Sequence, residues 1–195
     1  MGGRGASSGR LISGDYDKLN VDEILDELKG INPNYHLHNA TELGYHDNCV
    51  KACYTLDAIA RGIDCEAKPT KSTRDFTIAN WDNMMVGQRS YVIKSNSVNG
   101  AVSELHSKMA YYGDGSRAIV VVDLKTHAHA VVAMQRGNQT IFVDPQRGTR
   151  CDIAKTLKKG NFRNVEISRI DNLLPGKQIE RCYKKKASTP KKKVK

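Results

Sequence analysis

Apolar residues recur at helical spacing through the first half of the chain and at strand spacing through the second. The stretch NVDEILDELKG offers a cap at Asn20 and Glu23 three residues on. It sets Ile24, Leu25 and Leu28 on one side and Gly30 as a stop, which predicts a short amphipathic helix. The following INPNYHLHNATELGYHDN has no clean period, and its Pro33, Gly44 and Asn and Asp residues predict loop. Asp47 or Asn48 then caps a helix that runs to about Arg61 and ends at Gly62, with Cys49, Cys53, Leu56 and Ala60 sharing a face. IDCEAKP predicts a short strand ended by Pro69, and residues 70–96 predict loop with short elements. Val98, Val102, Leu105 and Met109 stand at helical spacing before Gly113, which predicts another helix despite Gly100.

The period then changes. AIVVVDL (118–124), HAHAVVAMQ (127–135) and TIFVDP (140–145) are β-rich, and RGNQ between the last two predicts a hairpin turn. A short helix over 151–159 and a weaker strand, NVEISRI, complete the order. Helices first and antiparallel strands later predict an α+β fold, with N-terminal helices packed on an antiparallel sheet.

At 195 residues the chain is long enough for one domain with a core of its own. The pattern divides it into a flexible Gly/Ser leader (1–19), a folded domain (20–180) and a Lys-rich tail (181–195). A net charge of +10 suggests a nucleic-acid footprint, but seven lysines and no acid lie in KKKASTPKKKVK, residues 184–195. The basicity belongs mainly to the tail, which resembles a nuclear-import signal and predicts weak, nonspecific attraction to nucleic acid or anionic surfaces. Without interleaved aromatics it does not predict sequence-specific reading. No stretch approaches the roughly 20 apolar residues of a membrane span, and the polar MGGRGASSGR is unlike a Sec signal. The expectation is a protein that is cytoplasmic on synthesis, with its five cysteines free.

Of those cysteines Cys49 carries the candidate chemistry. A thiol acts as a nucleophile only as thiolate, and a helix N-terminus favours the anion. The thiolate also needs a base and a third group to orient that base. The hairpin offers both, a histidine at 127 or 129 on its first strand and Asp144 at the end of its second. His127 and His129 share a face, so alternation does not choose between them.

At this point the motifs resemble a known family. N-C-x3-C before a helix, R-G-x-D-x-E-A-x-P, G-x-G-S-R-A before a strand, then H-A in a hairpin closing on F-V-D-P-Q, are similar to the papain-fold toxin family over roughly residues 31–150. These are Cys-His-Asp enzymes of bacterial polymorphic toxins, also found beside phage head-morphogenesis proteins, and many are regarded as glutamine deamidases. The resemblance implies a papain-like fold with Cys49 as nucleophile, His129 as base with His127 as its alternative, and Asp144 as the orienting carboxylate. It implies an oxyanion site at the backbone N–H of Cys49, helped by a polar side chain. Papain-like proteases place a glutamine six residues before the cysteine, where this chain has Leu43; Asn48 and Asn34 are the substitutes in reach, and Gln146 belongs to the D-P-Q motif as a supporting residue. The implied partners are a protein substrate offering a glutamine side chain and a neutralising immunity protein. The implied route is delivery to a target cell or packaging with a phage particle. No cofactor and no metal are implied.

Each residue also has a plainer reading. Free cysteine is commonly a buried small hydrophobe, and Cys53 reads that way. A zinc site from Cys49, Cys53, His127 and His129 is chemically sound but has weak spacing. His36, His38, His46 and His106 read as surface or loop residues, Trp81 as core and Asp123 as solvated. The function the pattern favours is cysteine-dependent deamidation of a protein glutamine. A protease or transglutaminase with the same triad is the alternative among enzymes, and a non-catalytic phage-associated module with a DNA-binding tail is the alternative outside them.

Overall fold

The computed structural model describes residues 18–71 and 84–186. Trp81, the leader up to residue 17 and the tail beyond residue 186 lie outside the described residues.

Helix α1 (Val21–Ile31) begins at the capping box expected of Asn20 and Glu23, whose side chains each accept from the other's backbone N–H. A 3-10 turn, Pro33–His36, leads into a loop that ends at α2 (Cys49–Ala60). The short strand β1 (Cys65–Ala67) follows, then β2 (Tyr91–Val92) and α3 (Val98–Tyr112). The hairpin region comprises β3 (Arg117–Asp123), β4 (Ala128–Arg136), β5 (Gln139–Asp144) and β6 (Thr149–Arg150). Helix α4 (Ile153–Gly160), β7 (Asn164–Arg169) and β8 (Tyr183–Lys185) complete the fold.

The main sheet has the order β2-β7-β3-β4-β5-β6, with every pairing antiparallel. Arg136 pairs with Gln139, so the β4–β5 turn has only Gly137 and Asn138 at its centre, and Gly137 supplies the positive φ of 54°. Alternation sends Ile119, Ala130, Val132, Met134, Ile141 and Val143 to a core shared with α1 and α2. The intervening Ala118, Val120, Val122, Val131, Ala133 and Phe142 face a second core under α3 and α4. The sheet is therefore buried on both faces, which is why its strands read as nearly continuous apolar runs.

The fold is α+β, as the pattern predicts, and three details depart from the sequence reading. The N-terminal helices cover only one face; α3 and α4 cover the other. The stripe expected on α2 is a helix buried all round, from Lys51 to Ala60, because α1, β1, β8 and the sheet enclose it. The tail drawn from residue 181 starts later: β8 pairs with β1, Cys182 and Tyr183 are buried, and the Lys186 N–H donates to Asp64 O. Structure likewise begins before Asn20, since the N–H groups of Lys18 and Leu19 both donate to Ala60 O.

Candidate active site

The site forms where the N-terminus of α2 meets the ends of β4 and β5. Cys49 is the first residue of α2, half-buried at the base of a cleft of about 870 Å³. Asn48 holds the N-cap position, yet its side chain makes no capping bond. The N–H groups of the first turn are thus not engaged by a side-chain cap, and a carbonyl oxygen at Cys49 would meet them and the positive end of the helix.

His129 projects from β4 and Asp144 ends β5 on the same face of the hairpin. The imidazole Nε2 lies 2.8 Å from Asp144 Oδ2, and Cys49 stands close enough to the same ring to raise its pKa. With Nε2 on the carboxylate, Nδ1 is the nitrogen left for sulfur. Burial pulls the imidazole pKa down, but the hydrogen bond to Asp144, the neighbouring Cys49 and the charges of both outweigh it and raise it from 6.5 to about 9. The ring is therefore cationic at neutral pH, the state that best stabilises an adjacent thiolate. Burial pushes the other four thiols, Cys53, Cys65, Cys151 and Cys182, upward.

Asp144 is held by its own turn. Its Oδ1 accepts from the backbone N–H groups of Gln146 (3.1 Å) and Arg147 (3.2 Å), while Pro145, between Asp144 and Gln146, has no N–H to place. The D-P-Q order therefore fixes one carboxylate oxygen and leaves the other to histidine. Gln146 is buried and its Nε2 donates to Asn48 Oδ1 at 3.3 Å. Asn48 and Asn32 form a reciprocal amide pair, each Nδ2 donating to the other's Oδ1 at 3.2 Å. Asn32 Nδ2 also donates to Gln146 O (2.9 Å), and Asn48 Nδ2 to Lys68 O (3.1 Å). Three buried amides thus tie the residue before the nucleophile to the turn that carries the carboxylate.

The cleft walls come from the 41–47 loop with Thr70 and Lys71 on one side, and from the start of β4 with Gln146 and Arg147 on the other. Gly44 joins the first wall together: its φ is +81°, its carbonyl accepts from the Thr70 N–H, and a Cβ there would stand 2.0 Å from Thr70 O. Here a family model described as papain fold toxin 1, glutamine deamidase, matches residues 47–149. The chain belongs to that family. The matched span opens beside Cys49 and closes past Asp144, so it takes in all three residues brought together above. No curated protein matches the chain. For a papain-fold toxin of this type, deamidase chemistry is the activity the family carries.

Within this papain-fold domain the remaining sequence candidates fall as follows. His127 shares the parity of His129 but is exposed ahead of β4, with Nδ1 2.9 Å from Thr126 Oγ1. Asn34 is half-buried in the 3-10 turn, outside the cleft lining, and Leu43 is exposed on the loop. The side-chain amide of Asn48 donates to Asn32 Oδ1 and to Lys68 O, both inside the protein, which makes it a support for the site. His46 lines the cleft with both ring nitrogens held, Nδ1 by Thr41 Oγ1 and Nε2 by Tyr35 O. Among the described residues no group of three or more His, Cys, Asp or Glu side chains is arranged to hold a metal ion, the set weighed for zinc included.

Two sets of residues escaped the sequence reading. Asn32, the other asparagine of N-P-N, joins the amide group that Asn34 does not. Its signal was an asparagine just past the end of α1 and before proline, which reads as a turn residue and nothing more. The second set surrounds Asp57, fully enclosed on α2. Asp57 Oδ1 accepts from Arg117 NH2 (2.8 Å) and Nε (3.2 Å), and its Oδ2 from Arg61 Nε (2.7 Å). Asp171 accepts from the Arg117 backbone N–H and pairs with Arg169. A lone aspartate in the middle of an apolar helix was the available clue.

Proposed function

We propose that the protein is a cysteine-dependent amidohydrolase that converts a glutamine side chain of a target protein into glutamate. One observation carries this reading: a half-buried imidazole holds the Asp144 carboxylate at 2.8 Å beside Cys49, and these two neighbours raise its pKa to about 9. Cys49 Sγ attacks the carboxamide carbon, and the oxygen that gains charge meets the Cys49 N–H. The C–N bond breaks as His129 gives its proton to the leaving nitrogen, releasing ammonia and a thioester. Water then adds to the thioester carbon while His129 takes its proton. The C–S bond breaks, leaving glutamate and the resting thiolate–imidazolium pair. Asp144 keeps the ring oriented and balances its charge throughout.

The toxin description of the family motivates a protein target in another cell, and with it an immunity protein in the producer as part of the same proposal. The acyl-enzyme is shared with proteases and transglutaminases, so the test reads the product. Incubation with proteins of a susceptible cell should release ammonia and yield a protein about 1 Da heavier at one glutamine, with no fragments. Cys49→Ala should abolish both signals and the toxicity. Toxicity that survives Cys49→Ala, or peptide fragments in place of the mass shift, would sink this reading.

A further inference from the structure

A second groove, of about 740 Å³, opens from the same histidine and aspartate and runs away from Cys49 toward α4. Lys125 comes from the β3–β4 turn, Arg147 from the turn after β5, Arg150 from β6, and Lys155 and Lys159 from one face of α4. All five are exposed. Arg147 stands 3.6 Å from Asp144, while Lys125, Arg150, Lys155 and Lys159 form no ion pair with any described residue. The two acids that border the groove are already engaged: Asp144 holds His129, and Asp152 Oδ1 caps α4 by accepting from the Lys155 N–H. Five basic side chains against two carboxylates thus give this concave surface of the folded domain a net positive charge.

We propose that this groove is the docking surface for an acidic segment of the target protein, lying along the chain to one side of the glutamine that enters at Cys49. The identity of the occupant rests on the deamidase reading; the charge preference does not. A polypeptide whose side chain reaches the sulfur must leave the cleft over the surface that surrounds it, and the groove shares His127, His129 and Arg147 with that cleft. Like-signed cations in a concavity focus a field that draws an anionic segment in and repels a basic one. A single-stranded nucleic acid fits less well, because the groove carries no phenylalanine, tyrosine or tryptophan on which bases stack.

The test uses the full chain with Cys49→Ala, so that binding is read without turnover. Fluorescence anisotropy compares a labelled peptide whose central glutamine has glutamate neighbours with the same peptide carrying serine neighbours. At low ionic strength the acidic peptide should bind roughly tenfold more tightly, and the preference should shrink as salt is added. Adding K125E, K155E and K159E together should remove the preference. K125Q, K155Q and K159Q together should weaken it in part, and thermal melts of both triple variants show whether the domain is still folded. The lysine-rich chain end is unchanged in every protein, so a loss reports the groove. Equal binding of the two peptides, or a preference that survives both folded triple variants, overturns the proposal. So does a single-stranded DNA oligonucleotide that outcompetes the acidic peptide and is lost with the same substitutions. If the unsubstituted enzyme releases no ammonia from any glutamine peptide while the groove-dependent preference persists, the deamidase reading fails and the docking surface stands.

Discussion

The two ends of α2 are both held by buried polar groups, but of opposite kinds. At the N-terminal end, beside Cys49, the groups are neutral: Asn32, Asn48 and Gln146 share amide hydrogen bonds of 2.9 to 3.3 Å. Two turns along, Asp57 sits among Arg61 and Arg117, with Asp171 and Arg169 continuing the chain of charge. The charged set anchors the helix to β3 through Arg117 and to the end of β7 through Arg61, which donates to Ile170 O and Asp171 O. It lies two turns from the sulfur, away from Cys49 and His129. The neutral set does the positioning at the reacting end, where another fixed charge would bias the titration of His129. Charge anchors the scaffold, and amides aim the nucleophile without adding charge to it.

That contrast can be broken from either side. Asp57→Ala removes the one carboxylate that two buried guanidinium groups share, which should cost about 3–5 kcal/mol of stability. Urea unfolding should show the loss, while turnover per folded molecule changes little because no group at Cys49 moves. Asn48→Ala acts at the other end. It strands buried amide groups of Asn32 and Gln146 and the Lys68 carbonyl, at about 1–3 kcal/mol. Its distinguishing readout is kinetic: kcat should fall roughly ten- to a hundredfold with KM nearly unchanged, since misplacing a nucleophile by a fraction of an ångström is enough. A result in which Asp57→Ala slows the folded enzyme more than Asn48→Ala would reverse the assignment of roles.

The sequence made the titrating groups of the site legible, and its support much less so. Cys49 announced itself by standing at a helix start, a histidine by standing on the first strand of a hairpin, and Asp144 by ending the second. Those are local patterns, and local patterns survive in one dimension. Choosing His129 over His127 needed the family resemblance, because two residues of equal parity differ only in where the strand ends. Asn32 was invisible because its partners lie 16 and 114 residues away. The same holds for β7, whose apolar pattern was read correctly but whose place between β2 and β3 depends on pairings far along the chain. The two-sided burial of the sheet followed from that placement and could not be read from the strands one at a time. β8 looked like the start of a charged tail because only Cys182 and Tyr183 mark it as partly interior.

The smallest effect sharpens the comparison by pH alone. His129 is raised to about 9 in the folded protein by Asp144 and Cys49 despite burial, against 6.5 for an ordinary histidine. The folded state therefore binds this proton more tightly than the unfolded chain does. Its contribution is fully present below pH 6.5 and is lost as the pH rises through 9. Cys49→Ala removes one of the two partners that hold the ring's charge, so the upper end of the window should move down while the lower end stays in place. Asn48→Ala, which changes no titrating group, should lower the stability curve without moving its edges. Urea midpoints collected from pH 6 to pH 10 on the three proteins separate the cases. A wild-type curve that is flat across that interval would mean that the imidazole does not hold its proton between Asp144 and Cys49.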